Sequence, residues 1–409
     1  MPTLLNVNNY HYRRGGADVL YLEHGRMFRE QGWDVADFSM HHPQNLESDW
    51  SDHFIDEIEL GGDYSVVDKV TRAGRVIYNR QSKSRLAEVI EKSNPDVAHL
   101  HNTYHHISPS ILPMLRKARI PVVLTNHDLK IACPNYQMLT HDGICERCKG
   151  GRIYNVVRHR CIRDSTTLSG LVFLESAVHK SLRTYTRNVD RFVTSSSFYL
   201  DKFVEWGFDR DQFVHIPNHV ESSDFQPDFT PGTAFVYFGR LASNKGVGTL
   251  VKAAASAQVP LWLIGTGPEE PMLKALAHDL GADVEFLGFL SGEPLHDRVR
   301  AARAVVLASE WYENGPVSVL EGYALGKPLI GAKIGGITEM MREGETGFGF
   351  ASGSVSELAE VLGRVAGLPD DTLEQMGRSA RRWIEVDFSV ERFIERTTNL
   401  YSELGVRTT

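Results

Sequence analysis

The sequence predicts an α/β protein of two doubly wound, parallel-sheet domains that face each other across a cleft. The chain has 409 residues, more than one hydrophobic core usually supports. Short apolar, β-branched runs alternate with longer helical patterns from end to end, the signature of βαβ units. That alternation breaks once, at the polar, turn-rich stretch 219–232 (HVESSDFQPDFTPG), and then restarts.

In the first half, strands are expected near 4–8, 35–39, 97–101, 122–126, 192–195 and 213–217. Apolar spacings of three and four residues predict helices over 17–31, 75–92 and 168–187. In the second half, strands are expected near 235–238, 261–264, 284–287, 304–308 and 329–331. The expected domains are therefore 1–218, with a Cys-rich insertion at about 129–164, and 233–384, joined by the linker 219–232. The helical tail 385–409 is expected to pack back on the first domain.

Composition narrows the function classes. With 42% hydrophobic and 23% charged residues the chain reads as an ordinary globular protein rather than a disordered one. A formal net charge of −8 speaks against a nucleic-acid-coating protein. No run approaches the roughly 18 apolar residues of a membrane span. The N-terminal Met1–Asn8 reads as a first strand, not a signal peptide. The expected location is the cytoplasm, with peripheral attachment at the inner face of the membrane left open.

Ligands of doubly wound folds bind beyond the carboxyl ends of the strands, so the loops there hold the candidate chemistry. After the first strand comes Arg13-Arg14-Gly15-Gly16-Ala17, just before a helix. Its glycines and free amides suit either an anion or a plain turn. The first strand of the second half leads into Gly239-Arg240-Leu241-Ala242-Ser243-Asn244-Lys245-Gly246, whose cations Arg240 and Lys245 suit a diphosphate or simply solvent. The next strand ends in Gly265-Thr266-Gly267-Pro268-Glu269. A further strand runs into Ser309–Gly322, where Glu313 precedes Asn314-Gly315-Pro316-Val317 and Glu321 follows on a helix. Pro316 suits the first helical turn, its amides suit phosphate, and the two carboxylates suit sugar hydroxyls.

These motifs, in this order and over nearly the whole chain, resemble glycosyltransferase family 4. The resemblance implies a GT-B fold of two Rossmann-like domains and a retaining transfer from a nucleotide sugar. It implies that Arg240 and Lys245 neutralise the donor diphosphate, and that Glu313 holds donor-sugar hydroxyls beside the amides of Asn314, Gly315 and Val317. It further implies that Glu321 binds the ribose and that Gly15 and Gly16 face the donor phosphates. Gly239, Gly265, Gly267 and Pro316 complete the donor loops. His127, in Thr125-Asn126-His127-Asp128, is placed near the reacting carbon, with His101, Asn102 and Asp128 toward the acceptor. Where many relatives carry Phe-Gly after the first glutamate, this chain has Asn314-Gly315-Pro316.

The implied partners are a UDP- or GDP-linked sugar and a glycan, lipid-linked or small-molecule acceptor, with no cofactor for catalysis. A nucleotide-sugar epimerase of the same fold and a non-catalytic nucleotide-sugar-binding module are the alternatives. The four cysteines, Cys133, Cys145, Cys148 and Cys161, all fall in one segment around a Cys-x-x-Cys pair. They read as a structural zinc site or as free or oxidised thiols.

Overall fold

The computed structural model describes residues 1–58 and 73–408. The first sheet is built from β1 (Thr3–Val7), β2 (Asp34–Phe38), β3 (Val97–Leu100), β4 (Val122–Asn126), β7 (Arg191–Thr194) and β8 (Phe213–His215). Between β4 and β7 lies a small antiparallel hairpin, β5 (Leu139–Thr140) and β6 (Gly143–Ile144). The second sheet holds β9 (Phe235–Phe238), β10 (Leu261–Ile264), β11 (Val284–Gly288), β12 (Ala304–Leu307), β13 (Leu329–Ala332) and β14 (Gly347–Phe350).

Strand order is β2-β1-β3-β4-β7-β8 in one sheet and β11-β10-β9-β12-β13-β14 in the other. Every pairing within these two sheets is parallel. Helices cover both faces of such sheets, so central strands such as AVVL in β12 and VVLTN in β4 are buried at every position. The order reverses between β1 and β3, and again between β9 and β12. Those switch points open the crevices where ligands enter such folds.

The first sheet shows the two-faced burial residue by residue. Leu5, Ala98 and Phe192 point into one apolar cluster, whereas Leu4, Val97, Val123 and Val193 point into another on the opposite face. That second face is closed by the helix Val390–Glu403, whose Leu400 and Tyr401 are buried beside Phe28 and Trp33. Burying each such side chain is worth about 1.5–3 kcal/mol. The C-terminal helix thus seals the first lobe although it follows the second in sequence. The chain crosses between lobes twice at adjacent points, where the Val220 amide donates to the Phe388 oxygen at 2.9 Å.

Some element boundaries differ from the sequence pattern. The periodic stretch 168–187 is two helices, Thr166–Ser181 and Thr184–Asn188, because Arg183 takes a left-handed conformation with φ 51°. The pattern over 75–92 resolves into a short helical stretch, 73–77, and the helix Arg80–Ser93, which starts where the Asn79 side chain accepts from the Ser82 amide. Strand β14 lies outside the strands expected from the sequence, since glycine, depleted in strands, fills two of the four positions in Gly347-Phe348-Gly349-Phe350. Packing explains it: a Cβ on Gly347 would lie 2.1 Å from the Leu329 oxygen of β13, so close pairing requires glycine there.

Candidate functional site

The cleft is built from loops at the two switch points. Beyond β9 the chain turns through exposed Gly239 and Arg240, then forms the tight turn Ser243–Lys245 before the helix Val247–Ala257. The Tyr237 hydroxyl donates to the Arg240 oxygen at 2.9 Å and anchors this loop. Beyond β12 comes the loop carrying Glu313. The two loops are laced together, because the Glu310 amide donates to the Asn244 oxygen at 2.9 Å.

Lys245 and Glu313 meet at this seam, Nζ to Oε1 2.6 Å. The Ser309 hydroxyl donates to the same carboxylate oxygen at 2.6 Å. Burial alone would push the Glu313 carboxyl up, but the Lys245 charge and the hydrogen bonds more than offset it and hold its pKa below the ordinary value. Glu313 is thus a buried, ionised hydrogen-bond acceptor. Glu321, one turn inside the helix Val317–Ala324, is the opposite case: burial raises it to about 7, and its carboxylate has no side-chain partner among the described residues. Pro316 stands just outside this helix as its cap residue, rather than in its first turn.

Gly265 and Gly267 have a packing reason of their own. A Cβ on Gly265 would meet the Gly239 oxygen at 2.0 Å, and one on Gly267 the Leu241 oxygen at 2.1 Å. They let the loop after β10 press against the loop that carries Arg240. Gly15 is extended and caps the helix Gly16–Glu30, with both glycines exposed at the end of β1.

The loop after β12 docks on the first lobe. The Asn314 Nδ2 donates to the Asn126 oxygen at 2.8 Å, while its Oδ1 accepts from the Ser196 hydroxyl at 2.9 Å. The Gly315 oxygen accepts from Asn218 at 2.5 Å. Asn126 ends β4, so this contact sets Glu313's loop beside His127 and Asp128. Across the same gap, Arg240 of the second lobe lowers the pKa of Tyr136 in the first, although burial raises it overall.

His127 is neutral, its pKa pulled to about 4 by burial. Its Nε2 lies 2.9 Å from His101 Nδ1. His101 spends its other ring nitrogen on His24, which leaves no ring atom of His101 for a ligand. The Tyr104 hydroxyl donates to Asp128, and its oxygen lies 3.1 Å from the Asn102 side-chain amide. Asp128 also accepts from the Lys130 amide, yet burial dominates and pushes its carboxyl up to about 6. His101, Asn102, His127 and Asp128 line one small cavity at the carboxyl ends of β3 and β4.

The four cysteines cluster around the β5–β6 hairpin, with none in a disulfide. Burial, reinforced by neighbouring thiols, pushes Cys133 up to about 11 and Cys148 up to about 12. Among the described residues, the one group of three His, Cys, Asp or Glu ligands within 4.8 Å of one another is His24, His99 and His101. No three of the sulfurs therefore reach that spacing.

Sequence reasoning missed the Asn314–Asn126 bridge, Ser196, His24, Tyr401 and the pair Gly335-Gly336. A Cβ on Gly336 would lie 1.7 Å from the Asn314 oxygen, so this pair seats Asn314's loop. Two adjacent glycines after a strand were the available signal. The polar bridge had none, because it joins residues 188 apart.

Two family models match in succession: Glycosyltransferase Family 4 over residues 14–224 and Glycosyl transferases group 1 over residues 221–383. The chain belongs to glycosyltransferase family 4. It is 23% identical over 398 residues to N-acetyl-alpha-D-glucosaminyl L-malate synthase of Bacillus anthracis, covering 95% of this chain and 94% of that one. Sucrose-phosphate synthase from Thermosynechococcus elongatus superposes with a TM-score of 0.73 at 19% identity, covering 99% of each chain. HepE of Anabaena, in complex with UDP and glucose, superposes with a TM-score of 0.69 at 17% identity, covering 98% of this chain and all of that one. The family 4 chain thus has the GT-B fold and is a glycosyltransferase. No helix among the described residues is long and apolar enough to cross a membrane.

Proposed function

We propose that this family 4 enzyme is a retaining hexosyltransferase that moves a sugar from a UDP- or GDP-linked donor to a saccharide, lipid-linked or small-molecule acceptor. One observation carries the reading: Glu313 is buried and ionised, clamped by Lys245 at 2.6 Å, at the switch point of the second sheet. Such a carboxylate grips sugar hydroxyls, and the cation beside it faces the diphosphate. Sugar and leaving group are then held by one linked pair. The UDP and glucose bound by HepE agree with a nucleotide-sugar donor.

In this reading Arg240, Lys245 and the amides of Gly315 and Val317 stabilise the charge that grows on the departing diphosphate. Glu321 takes the ribose hydroxyls. Gly15 and Gly16 approach the phosphates from the first lobe, and Gly239, Gly265 and Gly267 shape the opposing loops. His127 contacts the sugar's outer hydroxyl near the reacting carbon, and Asn102 and Asp128 lie on the acceptor side. The bond from the anomeric carbon to the phosphate oxygen breaks while one to the acceptor oxygen forms on the same face. The acceptor's proton passes to the departing phosphate. The interlobe contacts of Asn314 and Gly315 keep water from this step.

Apart from the reaction, we assign Cys133, Cys145, Cys148 and Cys161 to a structural zinc. Their clustering without a disulfide supports it. Closing on a metal requires the thiols to rotate inward.

Incubation with a panel of UDP- and GDP-hexoses tests the reading, with nucleotide release measured with and without acceptors and the product anomer read by NMR. Release with a retained anomer is the expected result. An inverted anomer removes the mechanism, sugar isomerisation without acceptor points to an epimerase, and no turnover of any donor leaves a binding module.

A further inference from the structure

Beneath the first-lobe half of the cleft, six side chains form one unbroken chain of hydrogen bonds. Thr125 Oγ1 lies 2.7 Å from His99 Nε2, and His99 Nδ1 lies 2.6 Å from the Tyr401 hydroxyl. That hydroxyl lies 3.2 Å from His24 Nε2. His24 Nδ1 lies 3.3 Å from His101 Nε2, and His101 Nδ1 lies 2.9 Å from His127 Nε2. His24, His99, His101 and Tyr401 are buried, and His127 is the partly exposed end. Its Nδ1 has no protein partner among the described residues. Burial holds all four imidazoles well below their ordinary pKa, so each is neutral.

A neutral imidazole has one N–H and one bare nitrogen, and a tyrosine hydroxyl has one proton to donate. These facts leave the chain only two self-consistent states. If Tyr401 donates to His24 Nε2, then His24 Nδ1–H donates to His101 and His101 Nδ1–H donates to His127. His127 must then carry its proton on Nδ1, while His99 donates from Nδ1 to the tyrosine oxygen and accepts from Thr125. If Tyr401 donates to His99 instead, every bond reverses and all four rings carry the proton on Nε2. Mixed tautomers would bury two donors or two lone pairs against each other, at a cost of about 1–3 kcal/mol each.

We infer that Tyr401, on the C-terminal helix, is a positioning residue that sets through His24 and His101 whether His127 offers the cleft a hydrogen-bond donor or an acceptor. The assignment rests on the proposed function only for what His127 touches. The direction in which the Tyr401 hydroxyl donates is therefore tied to the polarity of the whole chain, and passing from one state to the other also moves the proton of every ring from one nitrogen to the other. Bonds in such a chain polarise one another, so the setting is cooperative. His24, His99 and His101 also lie close enough for a metal. Yet every one of their ring nitrogens already has a hydrogen-bond partner.

The test is two-bond 1H–15N NMR of the full-length protein labelled at histidine, with single His→Asn variants to assign the rings. The expected spectrum has His24, His99, His101 and His127 in one shared tautomer. Tyr401→Phe keeps the ring packing and removes the hydroxyl. It should change or mix the His127 tautomer and lower turnover about threefold to tenfold, the worth of about one hydrogen bond. Leu400→Ala, a buried neighbour outside the chain, should lower stability and leave the His127 spectrum unchanged. Mixed tautomers in the wild type, an unchanged His127 signal in Tyr401→Phe, or a metal bound to these rings overturns the inference. The spectra need no donor, so they decide this point even if no nucleotide sugar proves to be a substrate.

Discussion

Asn314 reaches across the cleft and donates from Nδ2 to the main-chain oxygen of Asn126 at 2.8 Å. Its Oδ1 takes a hydrogen bond from Ser196, so one buried amide is shared between the lobes. The contact joins the last residue of β4, beside His127, to the residue after Glu313. Asn314→Ala therefore removes the acceptor of the Ser196 hydroxyl and the side-chain donor to the Asn126 oxygen at the seam. Expected outcomes are a loss of about 1–3 kcal/mol in denaturant unfolding and a turnover at least tenfold lower. Unchanged kinetics would show that this seam does not position the site.

Removing the cation from the Lys245–Glu313 pair isolates a buried carboxylate. Lys245→Ala should lower turnover by orders of magnitude and stability at pH 7 by about 3–5 kcal/mol, the range for breaking a largely buried pair. The pH dependence has a defined sign. In the wild type the Glu313 carboxyl is held below its ordinary value, so its stabilisation is present above that value and is lost as pH falls through the lowered one. In the variant the carboxyl titrates higher, so acidification toward pH 5 should narrow the stability gap. A gap constant across that range would show that the ion pair does not govern Glu313. Glu313→Ala should likewise abolish turnover with the fold intact by circular dichroism.

Glu321 should make nucleotide binding pH-dependent. Burial raises it to about 7. A folded-state value above the unfolded one means that stability declines as pH rises from about 4.3 toward 7 and then levels off. Ribose hydroxyls donate best to the ionised form, so UDP or GDP should bind more tightly as pH rises through 7. Calorimetric titration of wild type and Glu321→Gln separates this from titration of the nucleotide's own phosphate. The difference between the two should vanish below about pH 6, and identical profiles would remove Glu321 from the ribose site.

The four cysteines can be checked for metal directly. Freshly reduced protein should carry about one zinc per chain, and chelation should lower Tm. Thiol titration should then free four reactive groups. Metal-free protein with an unchanged Tm would leave four free thiols in that segment.

Much of this architecture is legible in the sequence. Buried parallel strands must be near-continuous apolar runs, so eleven of the strands in the two main sheets fell near their expected places. β14 escaped because its glycines serve close packing against β13 rather than strand propensity. The break at Arg183 escaped because apolar spacing continues through a residue whose backbone turns left-handed. The loops holding Arg240, Lys245 and Glu313 were legible because strand-end position and residue chemistry are both local properties.

By itself the sequence determined the alternation of strand and helix, the loops that follow each strand, and which side chains in them carry charge. Only the tertiary structure decided that Lys245 clamps Glu313, that Asn314 bridges to Asn126, and that Tyr401 meets His99 from 302 residues away. The physical reason is one of range. Backbone periodicity is set by neighbours a few residues apart, whereas hydrogen-bond partners and the burial that shifts a pKa depend on which faces meet once both lobes have packed.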